Sequence, residues 1–222
     1  MKAYQIKIEL TDSDPLIWRR VVMPADATFN RLNDVIQNVT NFKSGYPYPG
    51  YHLYEFYLSD EDIRVTNDDQ AYEEHKNYKK NSKEIEERLR NNSGEFTDLV
   101  EKQIENLKTV VRKPTSIKID KYLKKYGELK YIYDFGDYWQ FSIVLEEIVE
   151  DYSNGYPILI DGEENAPPED VGGLSGYYKF LEIYHYPDHP KYEQMRSWAE
   201  SQGYKEFDKK RINRSLKFIK YK

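Results

Sequence analysis

The pattern of the chain predicts an α+β fold, an antiparallel sheet built from hairpins with helices packed on it. Three observations lead there. Tyr4, Ile6, Ile8 and Leu10 recur at every second position, the period of a half-buried strand. Two longer alternating runs flank Gly136-Asp137. The last part of the chain instead carries helical stripes. Strands gathered early and helices late favour α+β over an alternating α/β order.

The elements follow in order. Residues 4–10 and 16–23 predict two strands. Thr11-Asp12-Ser13-Asp14-Pro15 between them is turn chemistry, so the pair reads as an antiparallel hairpin. Thr28 is placed to cap a helix in which Phe29, Leu32, Val35, Ile36 and Val39 fall on one face. Residues 43–50 form a loop rich in Gly and Pro, and residues 51–58 an aromatic, alternating third strand. Residues 69–113 predict a highly charged helical insertion. Ile85 and Leu89 make a first short stripe, and Phe96, Leu99, Gln103 and Leu107 a second. The plain reading is that this seam packs on the body, the other that it meets a second copy of the chain. As a polar insertion, it is expected to be dispensable for folding of the rest. Residues 120–126 predict a short helix stopped by Gly127. Residues 129–135 and 138–149 make the clearest hairpin, and 151–173 a long loop. Helices over 177–184, 192–201 and 209–220 complete a single domain spanning 1–222.

Composition bounds the rest. The mean hydropathy of −0.90 is low for a folded chain. Aromatics at 15%, including 22 tyrosines, compensate, because a tyrosine buries its ring and keeps a polar tip. Disorder, which goes with few aromatics, is thereby rejected. The absence of cysteine excludes disulfides, thiolate metal sites and a cysteine nucleophile. No apolar run approaches the ~20 residues that span a bilayer, and no signal segment opens the chain, so no membrane partner is expected and the cytoplasm is the default compartment.

Four segments together resemble the plasmid pRiA4b Orf-three-like family. They are Asp14-Pro15-Leu16-Ile17-Trp18-Arg19-Arg20, Tyr51-His52-Leu53-Tyr54-Glu55-Phe56, Tyr131-Ile132-Tyr133-Asp134-Phe135-Gly136-Asp137-Tyr138-Trp139, and Ala166-Pro167-Pro168-Glu169-Asp170-Val171-Gly172-Gly173 followed by Ser175-Gly176-Tyr177. Residues 69–113 fall outside these motifs. The resemblance implies an α+β domain found on plasmids or beside transposable elements. It carries no agreed catalytic residues.

The motifs offer several candidates. On the first hairpin, alternation puts Trp18 and Arg20 on one strand face and Arg19 on the other. Either arginine suits a phosphate or carboxylate contact. The plainer reading is stacking on Trp18 or pairing with a structural acid. Asp134-Phe135-Gly136 lacks the companion motifs of a kinase, so a tight turn is the better account. Glu169 and Asp170, between stiffening prolines and permissive glycines, can either present carboxylates to a cation or cap the helix that follows. Should the turn and the proline loop meet, His52, Asp134, Asp137, Glu169 and Asp170 would form an acidic pocket beside Tyr133, Tyr138 and Trp139. Such a pocket suits Mg²⁺ or Mn²⁺ and the activation of water. No nucleophile–base pair, Walker motif or dinucleotide fingerprint is visible.

Three functional readings follow. The first is a non-catalytic binding or interaction module with a protein partner or a second copy of itself. The second is a metal-dependent hydrolase using the acidic cluster. The third is a weak DNA-binding accessory protein acting through the basic C-terminal helix. From Lys205 onward eight Lys and Arg face only Glu206 and Asp208, a net of +6; with the whole chain at −6, the rest holds −12. Trp18, Phe56, Trp139 and Phe141 are expected to form the aromatic core.

Overall fold

The structure, a computed structural model, describes residues 1–43, 52–58, 62–92, 94 and 96–219. The fold is α+β. Its eight-stranded sheet runs β5-β4-β3-β6-β7-β1-β2-β8. Every neighbouring pair is antiparallel except β4 and β5, which are parallel.

The first hairpin is β1 (Ala3–Leu10) with β2 (Trp18–Pro24). α1 (Phe29–Val39) follows, and the Thr28 side chain accepts the Arg31 N–H, as the capping pattern requires. β3 (Tyr54–Leu58) and β4 (Ile63–Thr66) form a second hairpin. α2 (Asp69–Asn91) kinks at Asn81 and pairs with α3 (Thr97–Lys108) through Arg90 and Glu101 at 2.8 Å. β5 (Val110–Arg112) returns to the sheet edge. α4 (Asp120–Tyr126) stops at Gly127, which adopts φ 73°. β6 (Glu128–Tyr133) and β7 (Trp139–Val149) are the central hairpin. β8 (Ile158–Glu163), α5 (Gly173–Tyr184), α6 (Tyr192–Ser201) and α7 (Lys209–Leu216) complete the chain.

Period-two alternation sorts the two sheet faces. Tyr4, Ile6, Ile8, Phe56, Tyr131, Tyr133, Trp139, Phe141 and Ile143 point to one face and are buried with the apolar stripe of α1. Their rings interlock: Phe29 lies 5.0 Å from Phe56, Phe56 4.7 Å from Tyr131, and Phe42 4.8 Å from Tyr133. The opposite face is polar and carries the pairs Arg20–Glu146 and Arg64–Glu55, both at 2.5 Å.

Several expectations need correction. Trp18 is not in the core; it lies on the polar face, with Arg20 and Lys7 over its ring. The interior place belongs to Arg19, 2% exposed. Its guanidinium donates to the carbonyls of Trp18, Val39, Glu163 and Glu164 and stacks on Phe207 at 4.3 Å. Burial, with a small push from Arg211, lowers its pKa to about 10. The expected loop over 151–173 contains β8, because β2 needs an outer partner on that side. The seam of α3 is also displaced: Phe96 and Leu99 are exposed while Ile104 is fully buried. The last helix ends at Leu216, and the expected loop at 44–50 lies outside the described residues.

Candidate functional site

The site forms where four distant segments converge beside the turn of the β6–β7 hairpin. Asp134 follows β6 with φ 54°, and its N–H bonds the Leu53 carbonyl at 2.9 Å, fixing the segment that carries His52. The Asn67 side chain holds that segment from its other side. It donates to the His52 carbonyl at 3.1 Å and accepts the Tyr54 N–H at 2.8 Å. The His52 ring meets Tyr133 edge-on at 5.5 Å.

The proline loop arrives from the other direction. Asp137 accepts the Gly172 N–H at 3.0 Å, so the hairpin turn and the loop do meet. Asn41 donates to the Ala166 carbonyl at 2.6 Å. Gly176 must be glycine: a β-carbon there would stand 1.9 Å from the Val171 carbonyl oxygen. This close passage lets the loop turn directly into α5. Asp170 takes φ 54°, a conformation that strains most side chains and that Asp tolerates better than most.

The geometry brings together four of the candidates. His52, Asp134 and Asp170 each offer one ligand atom, and these atoms lie within 4.8 Å of one another. His52 Nδ1 is 3.4 Å from Asp134 Oδ1, and His52 Nε2 is 3.8 Å from Glu169 Oε2. Glu169 is 7% exposed. Its Oε1 accepts from the Tyr133 hydroxyl at 2.7 Å and from the Lys43 N–H at 2.6 Å. Its Oε2 is buried with no hydrogen-bond partner among the described residues. Burial raises the Glu169 carboxyl above its ordinary value, and the Lys43, Tyr133 and His52 groups only partly oppose that rise.

The remaining candidates have other surroundings. Asp137 is outside the group, its carboxylate committed to the loop backbone. Trp139, 2% exposed, lies under the site 5.6 Å from Phe42. Tyr138 is exposed on the turn. Arg20 grips the Glu146 carboxylate with two donors, an acid contact within the chain, whereas Arg19 meets carbonyls and a ring. Asn41, Lys43 and Asn67 build the site but escape the sequence reading, since each acts through backbone contacts, two of them across more than a hundred residues.

A mostly antiparallel sheet with a histidine–carboxylate group at the end of its central hairpin thus defines an α+β protein with one convergent polar centre. The chain belongs to the family described as plasmid pRiA4b ORF-3-like protein, whose model matches residues 2–216 and so runs across the helical segment at 69–113. It is 26% identical over 202 residues to the uncharacterized protein y4hQ of Sinorhizobium fredii, covering 90% of this chain and 82% of that one. It also resembles the crystal structure of a protein of unknown function, MM3350, from Methanosarcina mazei Go1. There the TM-score is 0.65 and the identity 26%, over 94% of this chain and 96% of the other. No described helix is long and apolar enough to cross a membrane.

Proposed function

We propose that the chain binds a divalent cation on His52, Asp134 and Asp170 and uses it in hydrolysis, with Glu169 as the proton acceptor. The observation that carries this reading is Glu169 Oε2, a buried carboxylate oxygen without a hydrogen bond among the described residues, 3.8 Å from His52 Nε2. A buried carboxylate oxygen left without a hydrogen bond is costly in a protein interior, so such a group persists where a proton or a cation compensates it. Two carboxylates and one imidazole are a donor set for Mg²⁺ or Mn²⁺, with coordination positions left for water. A bound cation makes that water more acidic. A glutamate whose pKa burial has raised is a better base for its proton than an exposed one. This arrangement puts hydrolysis ahead of the non-catalytic module.

Titration calorimetry with MnCl₂ or MgCl₂ on chelator-treated protein tests the reading. Binding is expected, together with a rise in Tm that grows with metal concentration. Asp134→Asn and Asp170→Asn should each weaken it at least ~10-fold. Absence of heat and of any Tm shift at millimolar metal would refute the assignment. The interaction reading keeps one specific support, the exposed Phe96 and Leu99, 68% and 64% accessible at the start of α3. Sedimentation across a concentration series, with Phe96→Ser/Leu99→Ser as control, tests it.

A further inference from the structure

Asp170 has a second neighbourhood. Together with Val171 it walls one side of a groove of about 450 Å³ between α5 and α6. Phe180, Ile183, Met195 and Trp198 give the groove an apolar lining. Trp198 packs edge-on to Phe180 at 5.8 Å, which fixes its ring in the wall. Lys179 and Lys191 also line the groove, one from α5 and one from the residue before α6. Both are exposed, and neither has an acidic partner among the described residues. The volume falls in the range of small-molecule sites, typically about 300–1,000 Å³.

We infer that this groove seats the substrate of the cation centre, and that the substrate is a phosphate ester of an apolar or aromatic alcohol. The inference rests on the cation reading above and deepens it. Two ammonium groups without an acidic partner among the described residues favour an anion. A divalent ion on the shared Asp170 adds further positive charge at the same wall, which suits a phosphoryl group carrying more than one negative charge. Mg²⁺ and Mn²⁺ commonly hold substrate phosphates with one or two protein carboxylates. The apolar walls then receive the organic part, which a free inorganic anion would leave unfilled. In the reaction the water oxygen forms a bond to phosphorus and the ester P–O bond breaks. One water proton passes to Glu169, which releases it to solvent, and the leaving alkoxide takes a proton from solvent to depart as the alcohol, so the carboxylate is restored.

The probe is 1-naphthyl phosphate with MnCl₂, with 1-naphthyl acetate as the neutral counterpart. Release of 1-naphthol reports hydrolysis, and quenching of tryptophan fluorescence, compared with that of Trp198→Phe, reports binding in the groove. The wild-type protein is expected to hydrolyse the phosphate in preference to the acetate. Lys179→Ala/Lys191→Ala should raise KM about 10-fold or more, leaving kcat and Mn²⁺ affinity nearly unchanged, as loss of uniform binding does. Both lysines are exposed, so folding is not at risk, and Mn²⁺ calorimetry on the double variant verifies this. If Mn²⁺ does not bind the wild type, the cation reading fails and this inference falls with it. If Mn²⁺ binds but the phosphate is neither bound nor turned over, or the double variant leaves KM unchanged, the groove assignment alone is overturned. Preference for the acetate would overturn the phosphate assignment.

Discussion

At the scale of single residues, Glu169 concentrates the conflict between stability and function. One oxygen is held by Tyr133 and Lys43, and the other is buried without a hydrogen bond among the described residues. Glu169→Gln keeps an acceptor for both donors and removes the charge. The amide that replaces Oε2 still lacks a hydrogen bond, so the gain comes from the charge alone: in the absence of metal the variant should be more stable near neutral pH by about 1 kcal/mol. The same change should abolish hydrolysis. Denaturant unfolding of the two proteins without metal checks the first part, and a variant less stable than wild type would mean that the carboxylate is compensated within the chain. Trp139 plays the opposite part. Its ring lies fully within the aromatic cluster beneath the site, so Trp139→Ala should cost ~3–5 kcal/mol, read from the same kind of titration. A much smaller loss would show that the cluster closes over the gap.

At the scale of elements, the legible parts were those with a local cause. The capped α1, the α4 stopped by a left-handed Gly127 and the β6–β7 hairpin each announce themselves within about ten residues of sequence. β4, β5 and β8 do not, because they are short strands defined by a partner: β5 by β4, and β8 by β2. The same limit governs the site. The residue types at His52, Asp134, Glu169 and Asp170 stand out, but their convergence depends on hydrogen bonds from Asn41, Lys43 and Asn67 that no spacing encodes. The arm at 69–113 shows both sides. Its helices are patterned, yet it also supplies β5, so only residues 69–108 are expected to be replaceable by a flexible linker without loss of cooperative unfolding. Its pH response follows from His75. Burial, then Arg112 and Lys79, lowers the imidazole pKa, opposed by a hydrogen bond with the Thr109 backbone, and Nδ1 is buried without a hydrogen bond among the described residues. A lowered folded value means that the unfolded chain takes up the proton first. Stability should therefore fall as pH drops below the ordinary histidine value of about 6.5. His75→Gln should flatten this part of the Tm–pH curve, and an NMR titration of the imidazole should place its pKa below that of a free histidine.

At the scale of the whole molecule, charge is divided between an acidic body and a basic C-terminal segment. α7 turns Ile212 and Leu216 inward, with Ile219 buried just beyond it, and packs on β8 and α1. The Asn213 side chain reinforces this by pairing with both the N–H and the carbonyl of Leu159. Lys209, Lys210, Arg214 and Lys217 remain exposed, while Arg211 is drawn to the Glu206 carbonyl. Three cations on one short helix and a fourth at its C-cap can neutralise a few phosphates, but the chain as a whole carries −6 and repels a duplex laid across it. Binding to DNA is therefore expected to be weak and indifferent to sequence. If all four cations engage, the logarithm of the binding constant should fall with the logarithm of salt concentration at a slope of about −3 to −4, following release of about 0.9 counterion per phosphate contact. Anisotropy titrations with random and plasmid-derived duplexes at several salt concentrations measure both properties. Lys209→Ala/Lys210→Ala should roughly halve the slope. Tight binding that survives physiological salt and prefers one sequence would require base-edge contacts, and would move the centre of function from the His52 group to this helix.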